Sequence, residues 1–347
     1  MYTYISLLIV FINWYLIEEI LTYSKGSTTL SSRKEKVESL EAPYITLCFQ
    51  PPFKPSMLKN LGVTNFNAIT GFYTWELFQN LSYKHEEDFK IELKKRTSFK
   101  NGTDEVKAIK FEIQSISTYR YGLCYLISYN QNVSINHEKI ELHYNPKGII
   151  SDLPDSVNIF LSSPNNWHGI VLDDWPLSDP TMFILPIEHL NSTSGTAKVS
   201  QTDYYFMKGT ENFEQCILEE GAKYSDCKNY CFPILFNFLP NYPPCKTSEE
   251  YDCMRNFLVK FRENRYKCLQ YKSNIEYKAR FLQSPKMTSN QTQVKFRLYF
   301  VKESKEIKEE VLIVTPGNLI GSIGGSLGLF LGFSFFSYLS ELIDKIL

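Results

Sequence analysis

The sequence predicts an α+β membrane protein, with two transmembrane helices flanking a large disulfide-rich extracellular domain, and three observations predict it. Both ends of the 347-residue chain are uncharged apolar runs, five Asn-x-Ser/Thr sequons lie between them, and so do all eight cysteines. Composition narrows the function. With 37 Lys plus Arg against 38 Asp plus Glu the net charge is -1, without the basic excess that a nucleic-acid partner requires. Aromatics make up 15% of the chain, enough to build a core and to exclude disorder as its main description.

The first element is the N-terminal helix, assigned to 1-21. Met1 to Ile17 carries no charge, which is the lower edge of a membrane span. A secretory signal peptide competes with this reading. It would need a cation before the apolar run and small residues after it, where Glu18, Glu19 and Tyr23 stand instead. The last element, 311-343, opens with 30 uncharged residues from Val311 to Ser340, against roughly 20 for a span. A buried core helix of that length would exceed the usual globular helix about twofold.

Between them, 22-310 is predicted to be extracellular. Its sequons are Asn80, Asn101, Asn132, Asn191 and Asn290, none followed by Pro, which places both termini in the cytoplasm. Val294 to Phe300 alternates apolar and polar residues, and Val157 to Leu161 and Tyr204 to Met207 read as further strands. Phe89 to Lys100 and Ser248 to Lys272, rich in Lys and Glu, read as charged, solvated helices.

The eight cysteines fit an oxidising compartment better than zinc. No Cys-x-x-Cys knuckle occurs, and every His precedes the Cys-rich block, so neither a metal nor a cofactor is expected. Cys227 and Cys231 are four apart, and Cys245 and Cys253 eight apart, each on one face of a helix. Nested pairing is the economical choice among the 105 connectivities that eight cysteines allow, but spacing alone leaves the others open.

In the C-terminal element, Gly317, Gly321, Gly324, Gly325, Gly328 and Gly332 place six glycines in sixteen residues. Small residues at four-residue spacing permit close helix packing, and this is one reading. The other is a pore lining, since Ser322, Ser326, Ser334 and Ser337 interleave and hydroxyls with bare carbonyls can replace an ion's hydration oxygens. Gly324-Gly325-Ser326-Leu327-Gly328 also matches a hydrolase nucleophile elbow, whose histidine follows the serine in chain order. No His follows His189, and the motif lies in an uncharged segment, so no enzyme is expected.

The run Gly321 to Ser334 resembles the second transmembrane helix of the degenerin/epithelial sodium channel/acid-sensing ion channel superfamily, the amiloride-sensitive sodium channel family. Ala42-Pro43-Tyr44-Ile45-Thr46-Leu47-Cys48 is similar to its strand after the first span, Arg120 to Tyr125 to the segment bearing that cysteine's partner, and Pro244 to Cys253 to its thumb. The resemblance implies a hand-like ectodomain with a β-sheet palm and helical thumb (about 213-272) and finger. It implies a homo- or heterotrimer with related subunits in the plasma membrane, conducting sodium ions across the lipid bilayer. It also implies the pairs Cys48–Cys124, Cys216–Cys268, Cys227–Cys253 and Cys231–Cys245, a selectivity filter at Gly332, Phe333 and Ser334, and a gate and pore lining at Gly321, Ser322, Gly324, Gly325 and Gly328.

Departures bear on function. Glu220, Tyr266 and Lys272 stand where the family commonly has cysteines, so whole pairs are missing and no thiol is stranded. The family's cytoplasmic His-Gly segment is absent and little follows Asp344, so a truncated subunit or an incomplete gene model is expected. The runner-up reading is a non-conducting accessory subunit or receptor-like membrane glycoprotein. The opening stimulus is not encoded in any residue set we find.

Overall fold

Alternation of apolar and polar side chains sets most of the architecture. A computed structural model describes residues 2–62, 80–99, 102–118, 122–130, 132–134, 137–147, 152–163, 181–207, 216, 249–250, 253, 272–283, 287–300 and 304–331. The chain divides into two compact units, residues 33–308 and residues 1–32 with 309–347.

The larger unit is built on two main sheets. The nine-stranded sheet contains β1 (Thr28–Lys36), β4 (Phe89–Ser98), β5 (Asp104–Ala108), β9 (Glu138–Pro146), β12 (Asn191–Tyr205), β13 (Ser273–Gln283), β14 (Met287–Thr288), β15 (Gln293–Phe300) and β16 (Ser304–Leu312). Its order is β1-β16-β12-β15-β9-β4-β5, with β13 and β14 also paired to β12. The division between the units falls within β1 and β16. The five-stranded sheet runs β11-β10-β3-β7-β6, where β3 is Tyr44–Gln50, β6 Glu112–Thr118, β7 Gly122–Ser128, β10 Ser156–Ser162 and β11 Thr181–Pro186. A two-stranded pair, β2 (Ser39–Glu41) with β8 (Asn132–Ser134), completes the β structure of the described residues.

The strand expected at Val294 to Phe300 is β15, with Val294, Phe296, Leu298 and Phe300 buried, and the one at Val157 to Leu161 lies in β10. Tyr204 and Tyr205 end a longer strand, β12, which stops before Phe206 and Met207. One expectation is corrected. Phe89 to Lys100 is not a charged helix, because its residues form β4, paired antiparallel to β9 from Phe89↔Pro146 to Thr97↔Glu138. From Phe89 to Lys94 the charges that suggested a solvated helix are every second residue: Phe89, Ile91 and Leu93 are buried, while Lys90, Glu92 and Lys94 face away. Most of the helix expected at Ser248 to Lys272 lies outside the described residues.

Two aromatic clusters join the sheets. Phe49 of β3 meets Phe89 of β4 at 4.9 Å between ring centroids and Tyr144 of β9 at 5.6 Å. Phe183 of β11 meets Phe281 of β13 at 4.9 Å and Phe296 of β15 at 5.2 Å. Gly195 on β12 makes the second cluster possible, since a Cβ there would lie 2.4 Å from the Phe281 ring. Loops are fixed to this core by polar contacts. Asp152 accepts hydrogen bonds from the Ser56 amide at 3.0 Å and hydroxyl at 2.8 Å at the start of α2 (Pro55–Asn60), and Lys54 pairs with Asp88 at 2.7 Å.

Candidate functional site

The smaller unit holds α1 (Tyr2–Lys25) and α3 (Pro316–Leu331). Among the described residues, no helix is long and apolar enough to cross a membrane. The described part of α3 has 16 residues, and α1 carries Glu18 and Glu19 in its second half. Local chemistry explains where the helices begin and end. Pro316 opens α3, its fixed φ suited to a first turn, and the Thr315 hydroxyl accepts the Asn318 amide at 3.1 Å. Gly26, at φ +58°, follows α1 in the left-handed conformation that terminates helices. The strands leading to them are linked by the Ile313 amide donating to the Ser27 carbonyl at 3.0 Å and by Thr28 donating to Glu310.

The glycines expected to line a pore divide between described and undescribed residues. Gly321, Gly324 and Gly325 are exposed on α3, and a Cβ at any of them would meet nothing within 4 Å. Ser322 and Gly328 are half-buried. Gly332, Phe333 and Ser334 lie outside the described residues. Sequence reasoning missed Tyr15. Its hydroxyl donates to Glu19 Oε1 at 2.8 Å, one turn on, and lies 3.3 Å from Ser322 Oγ, so the serine can donate in turn. This relay joins α1 to α3 one residue beyond Gly321.

In the larger unit, Cys48 and Cys124 are fully buried, stand opposite each other on β3 and β7 with Cα atoms 4.4 Å apart, and form a disulfide. Cys216 and Cys253 each take part in a disulfide too, but not with one another. Cys227, Cys231, Cys245 and Cys268 lie outside the described residues. Of the sequon asparagines, Asn80, Asn132 and Asn290 are exposed. Asn191 is half-buried, its amide donating to Glu188 at 3.1 Å, and Asn101 lies outside the described residues.

Two polar constellations were also missed, because each draws on strands far apart in the chain. Glu141 of β9 is buried between Arg96 of β4, whose Nε is 3.0 Å away, and Arg297 of β15, whose Nε is 3.2 Å away, with His143 Nε2 at 3.4 Å. The hydrogen bond from His143 and then the two guanidinium groups outweigh burial and hold its carboxyl down to about 2. Elsewhere in the larger unit, a cavity of about 400 Å³ is lined by Gln201, Asp203, Ser163, Asn274 and Lys305 among others. Asp203 accepts from Gln201 Nε2 at 2.6 Å and pairs with Lys305 at 3.0 Å, which raises the lysine's pKa. Among the described residues, no three His, Cys, Asp or Glu gather as a metal-ligand set.

A disulfide-braced β unit thus lies in the chain between two terminal helices, the second rich in glycine. The chain belongs to the amiloride-sensitive sodium channel family, whose profile matches residues 2–344. This is a family of plasma-membrane ion channels, not of enzymes. Among solved structures, the chain is similar at 7% identity to a proton-activated chloride channel determined by cryo-electron microscopy, with 97% of this chain and 95% of that one covered and a TM-score of 0.38. It is likewise similar to the crystal structure of Erv41p, at 7% identity, 81% and 100% coverage, and a TM-score of 0.30. No curated protein sequence matches the chain.

Proposed function

We propose that this protein is a subunit of a trimeric, sodium-selective cation channel whose second helix lines the pore. The family match over residues 2–344 carries the reading, and the open glycine face of α3 supports it. In this reading residues 1–21 and 311–343 cross the bilayer, both termini are cytoplasmic, and 22–310 stands outside the cell with its sequons available for glycosylation. The cysteines of the thumb pair as Cys216–Cys268, Cys227–Cys253 and Cys231–Cys245. Three copies of the helix converge, and Gly332, Phe333 and Ser334 replace water around the ion with carbonyl and hydroxyl oxygens.

Gly321 is the gate position in this reading. Helices that cross closely tolerate only a hydrogen or methyl at the crossing, so bulk costs more in the closed state than in the open one. A differential strain of about 2.7 kcal/mol shifts that equilibrium roughly a hundredfold.

Whether the glycine face meets water is tested by cysteine scanning from Ser322 to Ser334 with a charged, membrane-impermeant thiol reagent. Modification at one helical face, each hit changing sodium current, is the expected result. Surface-expressed variants unmodified throughout would leave α3 as a packing helix and favour the non-conducting accessory subunit.

A further inference from the structure

We propose that the outward face of the large sheet is a docking surface for a sulfated polysaccharide, with Lys139, Tyr299, Lys198 and Arg280 as its central row. On β4, β9, β15 and the first half of β12, alternate residues are buried in the core and the others point away from it. Those outward positions carry seven Lys or Arg against two Glu, on a chain whose net charge is -1. Both carboxylates are already engaged, Glu92 by Lys90 and Lys94, and Glu141 by Arg96 and Arg297. Lys139, Lys198, Lys295 and Arg280 have no carboxylate partner within 4.0 Å among the described residues.

The row is set by register. Tyr299 pairs with Lys198 and Lys198 with Arg280 on the adjoining strands, while Lys139 comes from the other side of β15. The Lys139 and Lys198 ammonium groups each lie 5.8 Å from the centroid of the Tyr299 ring. Two like charges are thus held against one ring, with no carboxylate within 4.0 Å of either among the described residues, beside a phenol that can donate a hydrogen bond. Strand spacing of about 4.8 Å puts three cations across roughly 14 Å of rigid sheet. An anionic group fits over the ring edge, and a chain carrying such groups at short intervals fits along the row.

The same face argues against a protein partner. Its outward positions on these four strands include no aliphatic side chain, and the exposed ones that flank them, Val106 and Ala108 on β5 and Leu282 on β13, are divided between the two sides, whereas a protein–protein interface needs a contiguous apolar, desolvated core. Along the row itself the face offers charge, hydrogen bonds and one ring, and these are what a sulfated sugar chain takes. The surface does not depend on ion conduction, so its test stands apart from that of the channel.

The test loads the purified full chain onto immobilised heparin, with an unsulfated polysaccharide and poly-glutamate as comparison ligands, and follows elution by salt. Retention on heparin at about 0.15 M salt, and weaker retention on both comparison ligands, is expected. Lys139→Glu with Lys198→Glu should weaken heparin binding at least about tenfold, because each reversal removes a counterion-releasing contact and adds repulsion. The same reversals at Lys59 and Lys107, away from this face, should not. Equal loss from the control pair, equal retention on poly-glutamate, or no retention on heparin would each overturn the proposal. Circular dichroism of the reversed variants keeps misfolding from passing as lost binding.

Discussion

Glu141 is the clearest case of a single residue whose chemistry fixes its behaviour. Its side chain is 5% exposed and compensated by two arginines that are about one-third exposed. Its carboxyl titrates at about 2 in the folded chain, below the usual carboxylate value. A depressed folded-state pKa stabilises the fold above the unfolded value, and that stability is lost as pH falls through the folded one. The expected effect is on the order of 2 kcal/mol of stability, fully present at neutral pH and lost progressively below about pH 4.5. Glu141→Gln should therefore lower the melting temperature at pH 7 and flatten the acid limb of the stability–pH curve. A variant with the wild-type acid limb would contradict this. Tyr15 gives a second residue-scale prediction. Tyr15→Phe and Ser322→Ala should each shift the open–closed balance by a small factor, with a coupling of about 0.6 kcal/mol in a double-mutant cycle of open probabilities. Additive effects would mean that the hydroxyls do not act together.

At the scale of elements, sequence and structure agree where periodicity was read and part where composition was read instead. β15 was legible from its alternation. β4 was not, because its lysines and glutamates drew attention from the same two-residue alternation, although Phe89, Ile91 and Leu93 carried it. The pairing of Cys48 with Cys124 was legible only through family resemblance, since spacing cannot show that β3 and β7 lie side by side in register. Glu141 and its arginines were illegible for the same reason, lying on three strands separated by more than 40 residues. The Cys48–Cys124 bridge closes a loop with a sequence separation of 76, for which the chain-entropy account gives about 4 kcal/mol. Cys48→Ser, which leaves the rest of the buried strand pair intact, should lower stability by on the order of that amount and reduce surface delivery. Thermal melts of the purified variants under non-reducing conditions measure it, and an unchanged melting temperature would count against any structural role for the bridge.

At the scale of the whole molecule, the proposed function assigns ion passage to the second of the two terminal helices. Its central claim is that the chain forms a sodium-selective pore with its relatives or with itself. The most direct measurement is the reversal potential of whole-cell current carried by Gly321→Phe, which is expected to raise resting conductance and so to give a signal without a known stimulus. Replacing external sodium with a large organic cation should move the reversal potential strongly negative, whereas replacing chloride with a large anion should leave it in place. A reversal potential that follows chloride, or surface-expressed subunits that pass no current with any related partner, would contradict the account.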